Sequence, residues 1–199
     1  MKPRRHTTNG SRQERAQPRL HQRAPETQVF ESILPDVPLG LSFEARGQCV
    51  HLLNQVLVDT ITLRDLYKKS HWQVSGPTFY QLHLLFDKHY EEQAKLVDEV
   101  AERIQTLGGL AAGMPDQVAE MTAIERPPRG REEVPVQISR LLEAHQVIMQ
   151  NVRAAARRAS EVGDDGTNDL LVSSVLRTNE TQAWFLYEHV VKMDLVVAR

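Results

Sequence analysis

The stretch from residue 70 to residue 109, SHWQVSGPTFYQLHLLFDKHYEEQAKLVDEVAERIQTLGG, predicts a long helix that carries two pairs of potential metal ligands. His83 lies four residues before Asp87, and Asp98 lies four residues before Glu102. Residues at this spacing lie on one face of a helix, and about three turns separate the pairs, so both share nearly the same face. The two pairs are about 16 Å apart along the helix axis.

Groups at this distance cannot bind one small metal site within a single chain. A second copy of the helix, running antiparallel, would bring each pair opposite the other pair of its partner. The spacing therefore predicts a two-fold dimer with two equivalent sites of imidazole and carboxylate, which are ligands that suit Fe²⁺. A thiolate cluster and an internal disulfide are excluded because Cys49 is the only cysteine.

The quoted stretch lies within a domain that is predicted to be all-α and to span residues 41–199. A first helix is expected to begin after Ser42, a suitable N-cap, and to end before Gly76-Pro77. A second helix is expected to begin at Thr78 and to end at the Gly108-Gly109 pair.

The second half of this domain has a longer connection followed by two more helices. The connection runs from Met114 to Arg131 and has room for a short helix around Val118 to Ile124. A third helix is expected to end before Gly163, and a fourth is expected to begin at Thr167 or Asn168 and run through Val190. Two helices, a long crossover and two further helices form the order of a ferritin-like four-helix bundle.

Residues 1–40 are predicted to form a flexible, disordered arm because they hold many Arg, Gln and Thr residues, five prolines and few apolar side chains. Up to Thr27, seven basic residues against two acidic ones give a charge of +5, and the net charge of −2 therefore leaves −7 for the remainder. An acidic domain with a basic arm suggests two different electrostatic partners. Four apolar residues at the end of the arm are expected to dock on the domain: Val29, Phe30, Ile33 and Leu34.

The length of 199 residues fits one sizeable domain with a tail. No apolar run in the sequence approaches the ~20 residues that a membrane-spanning helix needs, and the N-terminus lacks the apolar core of a secretory signal. These features predict a protein of the cytoplasm without a membrane anchor.

The quoted stretch resembles the Dps family, whose members are also called miniferritins. It matches the family's His-Trp at the end of the first helix, its Gly-Pro turn, and the Phe, Leu-His and aromatic-Asp that follow. The match continues through Asp-x-x-x-Glu-Arg to Leu-Gly-Gly at the family's spacing, and weaker similarity extends from about Leu41 to the C-terminus. The resemblance implies a hollow assembly of twelve identical subunits with an internal iron-mineral store.

The resemblance also implies a ferroxidase, an enzyme that oxidises Fe²⁺ at di-iron sites between subunits. One subunit would contribute His71, His83 and Asp87, and its neighbour would contribute Asp98 and Glu102, with Glu102 between the two irons. Hydrogen peroxide is implied as the favoured oxidant, which would protect against oxidative damage, whereas the residues themselves do not distinguish peroxide from dioxygen. A plain helical scaffold without turnover is the simplest alternative.

The remaining histidines do not match the intrasubunit di-iron site of larger ferritins, because no histidine in the sequence has Glu three residues before it. His145 and His189 are therefore interpreted as structural or surface residues, and His51 and His89 are expected at the surface. Trp72 is expected to be a core aromatic at a helix end. The resemblance also places it near the metals, where it could intercept a radical.

An acidic cluster lies where the third helix leads into the fourth: Glu161, Asp164, Asp165 and Asp169. In the Dps family this region lines three-fold pores through which iron enters, so Asp164, Asp165 and Asp169 are candidate pore residues. Threefold repetition of these acids would draw in cations. The alternative is that they are solvated caps of the two helices.

Several Dps proteins bind DNA through flexible basic tails without reading its sequence. The Arg excess of the arm fits contacts to phosphate, and twelve copies would add avidity. The lack of aromatic residues before Phe30 argues against stacking on bases. A nucleoid-associated DNA-binding protein is therefore the alternative function, although the acidic domain would repel DNA and the arm could instead serve solubility or assembly.

Overall fold

The computed structural model of the protein describes residues 21–191. Within them the chain forms helices, and no β-strand occurs in this range. In chain order the elements are α1 (Phe43–Gln73), α2 (Phe79–Thr106), α3 (Pro115–Met121), α4 (Val134–Glu161), α5 (Asp165–Asp169), a π-helical segment (Leu170–Leu176) and α6 (Arg177–Tyr187). The last three elements are continuous and form the fourth long helix, which confirms the predicted all-α four-helix bundle.

The tight connection between α1 and α2 follows from local signals in the sequence. The Ser42 hydroxyl accepts a hydrogen bond from the Ala45 N–H, 3.1 Å away, and so caps α1 as predicted. After α1 ends, Gly76 adopts a φ of +91°, a left-handed conformation that favours glycine, and the chain reverses into α2. The two helices consequently pack side by side, and this pairing positions the candidate site.

The C-terminal end of α2 lies very close to α1. A Cβ atom at Gly109 would be 2.5 Å from a Val50 methyl, so glycine is required for this approach. The buried positions of α2 recur with the spacing of a single helical face: Leu82, Phe86, His89, Gln93, Leu96, Val100 and Ile104. The four predicted ligands of α2 lie outside this buried stripe, where a neighbouring molecule can reach them.

The core of the bundle lies between α1, α2, α4 and the fourth helix. Leu57 of α1, Phe86 of α2, Ile148 of α4 and Leu171 of the π segment are among the side chains that are almost completely buried. Burial of an aliphatic or aromatic side chain of this size contributes about 1.5–3 kcal/mol. These apolar residues pack together in the core. No helix in the described part of the chain is long and apolar enough to cross a membrane.

A buried carboxylate fixes the crossover between α2 and α4 to α1. Asp59 Oδ1 accepts hydrogen bonds from the Ala123 N–H at 2.8 Å and from the Thr122 hydroxyl at 2.9 Å. The predicted short helix exists within this crossover, but it spans Pro115–Met121 rather than Val118–Ile124, so its predicted position was wrong. It begins earlier because the fixed φ of its first residue, a proline, suits the first turn of a helix.

The fourth helix begins earlier than the sequence predicted and contains an irregular segment. Asp164 is its N-cap and accepts a hydrogen bond from the Thr167 N–H at 3.0 Å, so the predicted start at Thr167 or Asn168 was wrong. The Asn168 side chain instead donates to the main-chain carbonyl of Ala156 in α4, 2.8 Å away. The π segment was not predicted, because its i→i+5 hydrogen bonding has no signature in residue spacing.

The segment before α1 is partly fixed to the bundle. Two of the four residues predicted to dock, Phe30 and Ile33, pack against the core, which confirms this part of the prediction. Val29 has an exposed side chain, so its docking was predicted wrongly, whereas Leu34 docks through its main chain: its N–H donates to the Gly108 carbonyl, 2.9 Å away. Residues 1–20 lie outside the described residues, and the flexibility of the basic arm stays a prediction.

A buried arginine holds this segment in place. Arg46 Nη1 donates hydrogen bonds to the carbonyls of Leu34 and Leu107, each at 2.9 Å, and Arg46 Nη2 donates to the carbonyl of Pro35 at 2.7 Å. The carbonyl at Leu107 belongs to the C-terminal end of α2, where the helix dipole favours a positive charge. The chain that precedes α1 is thereby anchored at this end of α2.

Candidate metal centre

Two histidines contact each other across the connection between α1 and α2. His71 Nδ1 is 2.8 Å from the main-chain carbonyl oxygen of His83, and His83 Nδ1 is 2.9 Å from the carbonyl oxygen of His71. Their rings are stacked, with centroids 3.7 Å apart and planes inclined by 20°. The Phe79 ring also stacks on His83, with centroids 5.0 Å apart.

This reciprocal bonding selects the tautomer of each imidazole ring. A carbonyl oxygen only accepts hydrogen bonds, so each Nδ1 carries the proton and each Nε2 retains its lone pair. An Nδ1–H to carbonyl bond is a common support of metal-binding histidines, because it orients the ring and selects the tautomer. His71 and His83 can therefore offer two Nε2 atoms to a metal ion.

The Asp87 carboxylate lies beside the histidine pair and is held by a lysine. Its Oδ1 atom is 2.5 Å from Lys68 Nζ and 3.9 Å from His71 Nδ1. The hydrogen bond from Lys68 lowers the pKa of Asp87, so this side chain is ionised at neutral pH. The sequence interpretation missed Lys68, although it lies three residues before His71 and thus on the same helical face.

The second predicted pair lies further along α2. Asp98 and Glu102 are exposed, and neither carboxylate has a hydrogen-bond or ion-pair partner among residues 21–191. In the same range, no cluster of three or more His, Cys, Asp or Glu residues has a geometry suited to a metal ion. A single subunit therefore brings His71 close to His83 and Asp87 but does not form a metal site by itself, and its Asp98 and Glu102 side chains are exposed.

Exposed apolar side chains lie close in sequence to the two histidines. Trp72 is 69% exposed, and Phe79, Tyr80 and Leu84 in the first turns of α2 are also exposed. The expectation that Trp72 is a core aromatic was therefore wrong for the subunit, because its ring lies outside the packed bundle. A group of exposed apolar residues of this kind is typical of an interface with another molecule.

Only part of the acidic cluster before the fourth helix faces solvent. Asp164 is 1% exposed, and its carboxylate accepts hydrogen bonds from Arg103 at 2.5 Å and from the Thr167 hydroxyl at 2.6 Å. A buried and paired helix cap does not fit a residue that lines a pore, so the structure corrects the assignment of Asp164. Asp165 and Asp169 are exposed and stay candidates for this role.

Two histidines outside the predicted site occupy the centre of the bundle. His145 Nε2 is 2.5 Å from the Tyr67 hydroxyl, and His145 Nδ1 is 2.8 Å from Asn179 Oδ1. His89 Nδ1 is 3.1 Å from the same hydroxyl. His145 is buried rather than at the surface, the surface position of His51 is confirmed, and the surface position predicted for His89 was wrong. His89 lies on the same face of α2 as Phe86 and Leu96, so the spacing along this helix could have predicted its burial.

The helical order is that of a ferritin-like protein, and known proteins agree with this class. The model of the ferritin family, described as a ferritin-like domain, matches residues 50–196. Among solved structures, DpsC from Streptomyces coelicolor superposes with a TM-score of 0.85 and is 56% identical. That match covers 87% of this chain and 100% of the other.

Two relatives in other bacteria extend the comparison. An uncharacterised protein of Kitasatospora aureofaciens is 52% identical over 149 residues, which are 75% of this chain and 99% of the relative. A Nostoc protein, named nutrient stress-induced DNA-binding protein, is 32% identical over 162 residues, which are 81% of this chain and 88% of the relative. This chain belongs to the Dps family of ferritin-like proteins, as the stretch between the first two helices predicted.

Proposed function

We propose that this protein oxidises Fe²⁺ at sites shared between two subunits and stores the product as a ferric mineral inside a homo-oligomer. The observation that carries this proposal is the reciprocal bonding of His71 and His83, because it leaves the Nε2 atom of each ring free of main-chain bonds while the Asp87 carboxylate lies 3.9 Å from His71 Nδ1. Imidazole and carboxylate donors suit Fe²⁺. Membership of the Dps family supports the same function.

A second subunit would complete the ligand set. Asp98 and Glu102 lie on the same helix as Asp87, at least about 16 Å away along its axis. An antiparallel α2 from a neighbouring copy would bring these acids opposite the histidine pair. The interface would also cover the exposed Trp72 and Phe79 rings. Repetition of such dimers to the twelve subunits that the family implies would enclose the mineral.

Each protein group has a defined task in this proposal. The Nε2 atoms of His71 and His83 and the Asp87 carboxylate would hold Fe²⁺ against the opposing charge of Lys68. Few protein ligands for each metal leave coordination positions open to an oxidant. Glu102 of the partner subunit would lie between two bound Fe²⁺ ions, and ferric oxyhydroxide would leave the site for the cavity.

Hydrogen peroxide is the oxidant that we propose, and dioxygen is the alternative. Two Fe²⁺ ions provide the two electrons that reduce one H₂O₂ to two water molecules, so oxidation in pairs releases no hydroxyl radical. Stopped-flow mixing of the iron-loaded protein with either oxidant compares the two rates directly. A faster reaction with dioxygen than with equimolar peroxide would reverse this choice.

We also propose that iron reaches the cavity through pores that Asp165 and Asp169 line. Both residues are exposed at the start of the fourth helix, and Asp169 Oδ1 accepts a hydrogen bond from the Ser173 hydroxyl at 2.7 Å. Three copies around an axis would concentrate negative potential and attract Fe²⁺. Combined Asp165→Asn and Asp169→Asn substitutions should slow iron uptake most at low salt, and an unchanged rate would remove these residues from the route.

The direct test of the metal centre removes the acids that the partner would supply. Asp98→Asn combined with Glu102→Gln should abolish fast Fe²⁺ oxidation, measured as the absorbance of the ferric product. Glu99→Gln is the matched control, because Glu99 is exposed and adjacent on α2 but lies outside the ligand set. Undiminished oxidation by the double variant would reject the site.

A second candidate function is non-specific DNA binding through the N-terminal arm. It is favoured by the charge of +5 up to Thr27 and by the Nostoc relative, which is named as a DNA-binding protein. Contacts to phosphate would release counterions, so the affinity should fall steeply with salt. Gel-shift series over salt should show retardation with the full chain and none after removal of residues up to Pro25. Equal retardation by both proteins would exclude the arm, and none with the full chain would exclude DNA binding.

A further inference from the structure

A network of neutral polar side chains crosses the centre of the bundle, one helical turn from the candidate metal centre. Its middle is Tyr67, which lies on α1 four residues before His71. The members of this network are all fully buried: Tyr67, His89, Gln93, His145, Asn179 and Gln182. Each buried donor in such a network needs an acceptor. The hydrogen bonds of the network therefore show which atoms carry protons.

Glu92 fixes these directions at one end of the network. A carboxylate only accepts hydrogen bonds, so Gln182 Nε2 is the donor in its 2.8 Å bond to Glu92 Oε2. Gln182 Oε1 therefore accepts from Gln93 Nε2, which is 2.9 Å away. The same Gln93 nitrogen is 3.3 Å from Asn179 Oδ1, which is thus an acceptor.

A main-chain carbonyl fixes the directions at the other end. Asn179 Nδ2 donates to the carbonyl of Val175 in the π segment at 2.7 Å, so Oδ1 is the Asn179 atom that faces His145. His145 Nδ1 must therefore carry a proton, and His145 Nε2 has a lone pair. The Tyr67 hydroxyl, 2.5 Å from that Nε2, donates its proton to it.

The Tyr67 oxygen keeps a second hydrogen bond. Because its own proton is directed to His145, this oxygen accepts from His89 Nδ1–H, 3.1 Å away. Burial lowers the pKa of His145 to about 3, so the acceptor ring is neutral before any reaction. Burial also raises the pKa of Tyr67, so the phenol is protonated. A protonated phenol directed at a neutral imidazole can lose an electron and a proton together.

Two connections link this phenol to the candidate ligands. Tyr67 and His71 are one turn apart on α1, about 6 Å along the helix axis. On α2, the Phe86 ring lies with its centroid 6.1 Å from that of Tyr67, and Phe86 directly precedes Asp87. Tyr67 is therefore a buried tyrosine that lies on α1 and contacts α2, the two helices that carry His71, His83 and Asp87.

We propose that Tyr67 donates an electron to the metal centre while His145 Nε2 accepts its phenolic proton. This inference rests on the proposed function, which supplies hydrogen peroxide as the oxidant. One bound Fe²⁺ gives one of the two electrons that H₂O₂ requires, and Tyr67 gives the other. The O–O bond breaks, two protons from solvent are taken up, and two water molecules form. Fe²⁺ becomes Fe³⁺, and Tyr67 becomes a neutral phenoxyl radical beside a protonated His145.

A second Fe²⁺ returns Tyr67 and His145 to their starting states. It reduces the phenoxyl radical, and the proton moves back from His145 to the Tyr67 oxygen. The sum of both steps is the oxidation of two Fe²⁺ ions by one H₂O₂ to two water molecules. The pair thus allows a site that holds a single Fe²⁺ to reduce peroxide by two electrons, without release of a hydroxyl radical.

The test is rapid-freeze electron paramagnetic resonance of the full-length assembly, mixed with one Fe²⁺ per site and excess H₂O₂. Ring-deuterated tyrosine separates a tyrosyl signal from any signal of Trp72 or Trp184. Tyr67→Phe removes only the hydroxyl group and should eliminate the tyrosyl signal. Tyr187→Phe, at an exposed tyrosine, is the matched control and should retain it.

The proton acceptor is tested in the wild-type protein, because a substitution of His145 would also remove its hydrogen bonds to Tyr67 and Asn179. After exchange into D₂O, electron–nuclear double resonance should detect a strongly coupled exchangeable deuteron between the Tyr67 oxygen and His145. Absence of this coupling would overturn the role of His145. A purely structural network predicts a lower unfolding temperature for Tyr67→Phe and no tyrosyl signal in any variant.

Two results would overturn the proposal for Tyr67. One is wild-type protein that oxidises iron without a tyrosyl signal, and the other is a full signal in Tyr67→Phe. Ferric absorbance recorded from the same mixtures separates these results from a failure of the proposed function, in which wild-type protein oxidises no iron at all. That last result would refute the electron donor together with the metal centre.

Discussion

The Lys68 ammonium lies 2.5 Å from Oδ1 of Asp87, so a predicted metal ligand is paired with a cation in the isolated subunit. Lys68 Nζ also lies 4.3 Å from the centroid of the Tyr90 ring, and this cation–π contact helps to keep it in place. A divalent cation that binds Asp87 would therefore share the carboxylate with the ammonium group, whose positive charge opposes it. The ion pair and the metal compete for one carboxylate.

Lys68→Met should consequently tighten metal binding. A partly exposed ion pair is worth about 0.2–1 kcal/mol, so the affinity for Fe²⁺ should rise by up to about fivefold. Anaerobic titration calorimetry of the assembled protein measures this change. Lys69→Met is the control, because Lys69 donates to Gln73 Oε1 at 3.0 Å rather than to Asp87. Weaker binding by Lys68→Met than by the control would contradict the competition.

The buried His145 should make the protein sensitive to mild acid. Its pKa is about 3 in the folded chain, against an ordinary value of 6.5. Between these values the unfolded chain binds more protons, so stability is complete above pH ~6.5 and falls as the pH drops toward 3. From pH 7 to pH 5, His145→Gln should reduce the loss of unfolding free energy by about 2 kcal/mol. Chemical denaturation at both pH values measures this, with His51→Gln as an exposed control, and identical losses in all three proteins would contradict the assignment.

The first two helices could be predicted closely because their boundaries depend on local chemistry. The Ser42 cap, the Gly76-Pro77 turn and the Gly108-Gly109 terminator act within a few residues of themselves. The short crossover helix was displaced because the prediction followed its apolar residues rather than Pro115, which starts it. A proline at the first position was the stronger local signal.

The fourth helix could not be predicted to the same accuracy because tertiary contacts determine its start and its irregular segment. Asp164 caps it while also pairing with Arg103 of α2, and Asn168 bonds to α4 instead of capping. The Val175 carbonyl of the π segment accepts from Asn179, which in turn faces His145. Such contacts join residues far apart in sequence, so they cannot be predicted from residue spacing along one helix.

In the candidate site, too, some residues could be placed from local sequence and others could not. The spacing of His83 and Asp87 along α2 predicted that they share one side of the helix, and His71 was placed beside them by resemblance and the tight turn. Lys68 could have been found from its position one turn before His71. The role of the exposed Asp98 and Glu102 carboxylates cannot be assessed in one chain, because the predicted partner of each lies in another molecule.

Removal of the Asp59 carboxylate should detach the crossover from α1. The Asp59 oxygens accept hydrogen bonds from Thr122, Ala123, Gln55 and Asn151 at 2.8–3.1 Å within the bundle. Asp59→Ala would leave these donors unpaired and should cost about 3 kcal/mol of unfolding free energy. Denaturant unfolding measures the loss. Asp65→Ala, at an exposed carboxylate on the same helix, should change stability by less than about 0.5 kcal/mol, and similar losses in both would contradict this role.

Mixed assemblies can decide whether the metal centre is shared between subunits. One variant carries His83→Ala with Asp87→Ala, and a second carries Asp98→Asn with Glu102→Gln. Each alone should be inactive, because every site lacks one half of its ligands. In a two-fold dimer of one copy of each, the intact histidine half of the second variant meets the intact acids of the first. Random mixing should therefore restore about one quarter of the wild-type sites.

The measurement is the rate of Fe²⁺ oxidation after the two variants have been unfolded together and reassembled. The matched control mixes the first variant with His71→Ala, since both lack the same half of the site and no combination of them is complete. Recovery in the first mixture and none in the control would require ligands from two chains. No recovery in either mixture, from assemblies shown by native mass spectrometry to contain both variants, would place all the ligands within one subunit and reject the crossed arrangement of α2 helices.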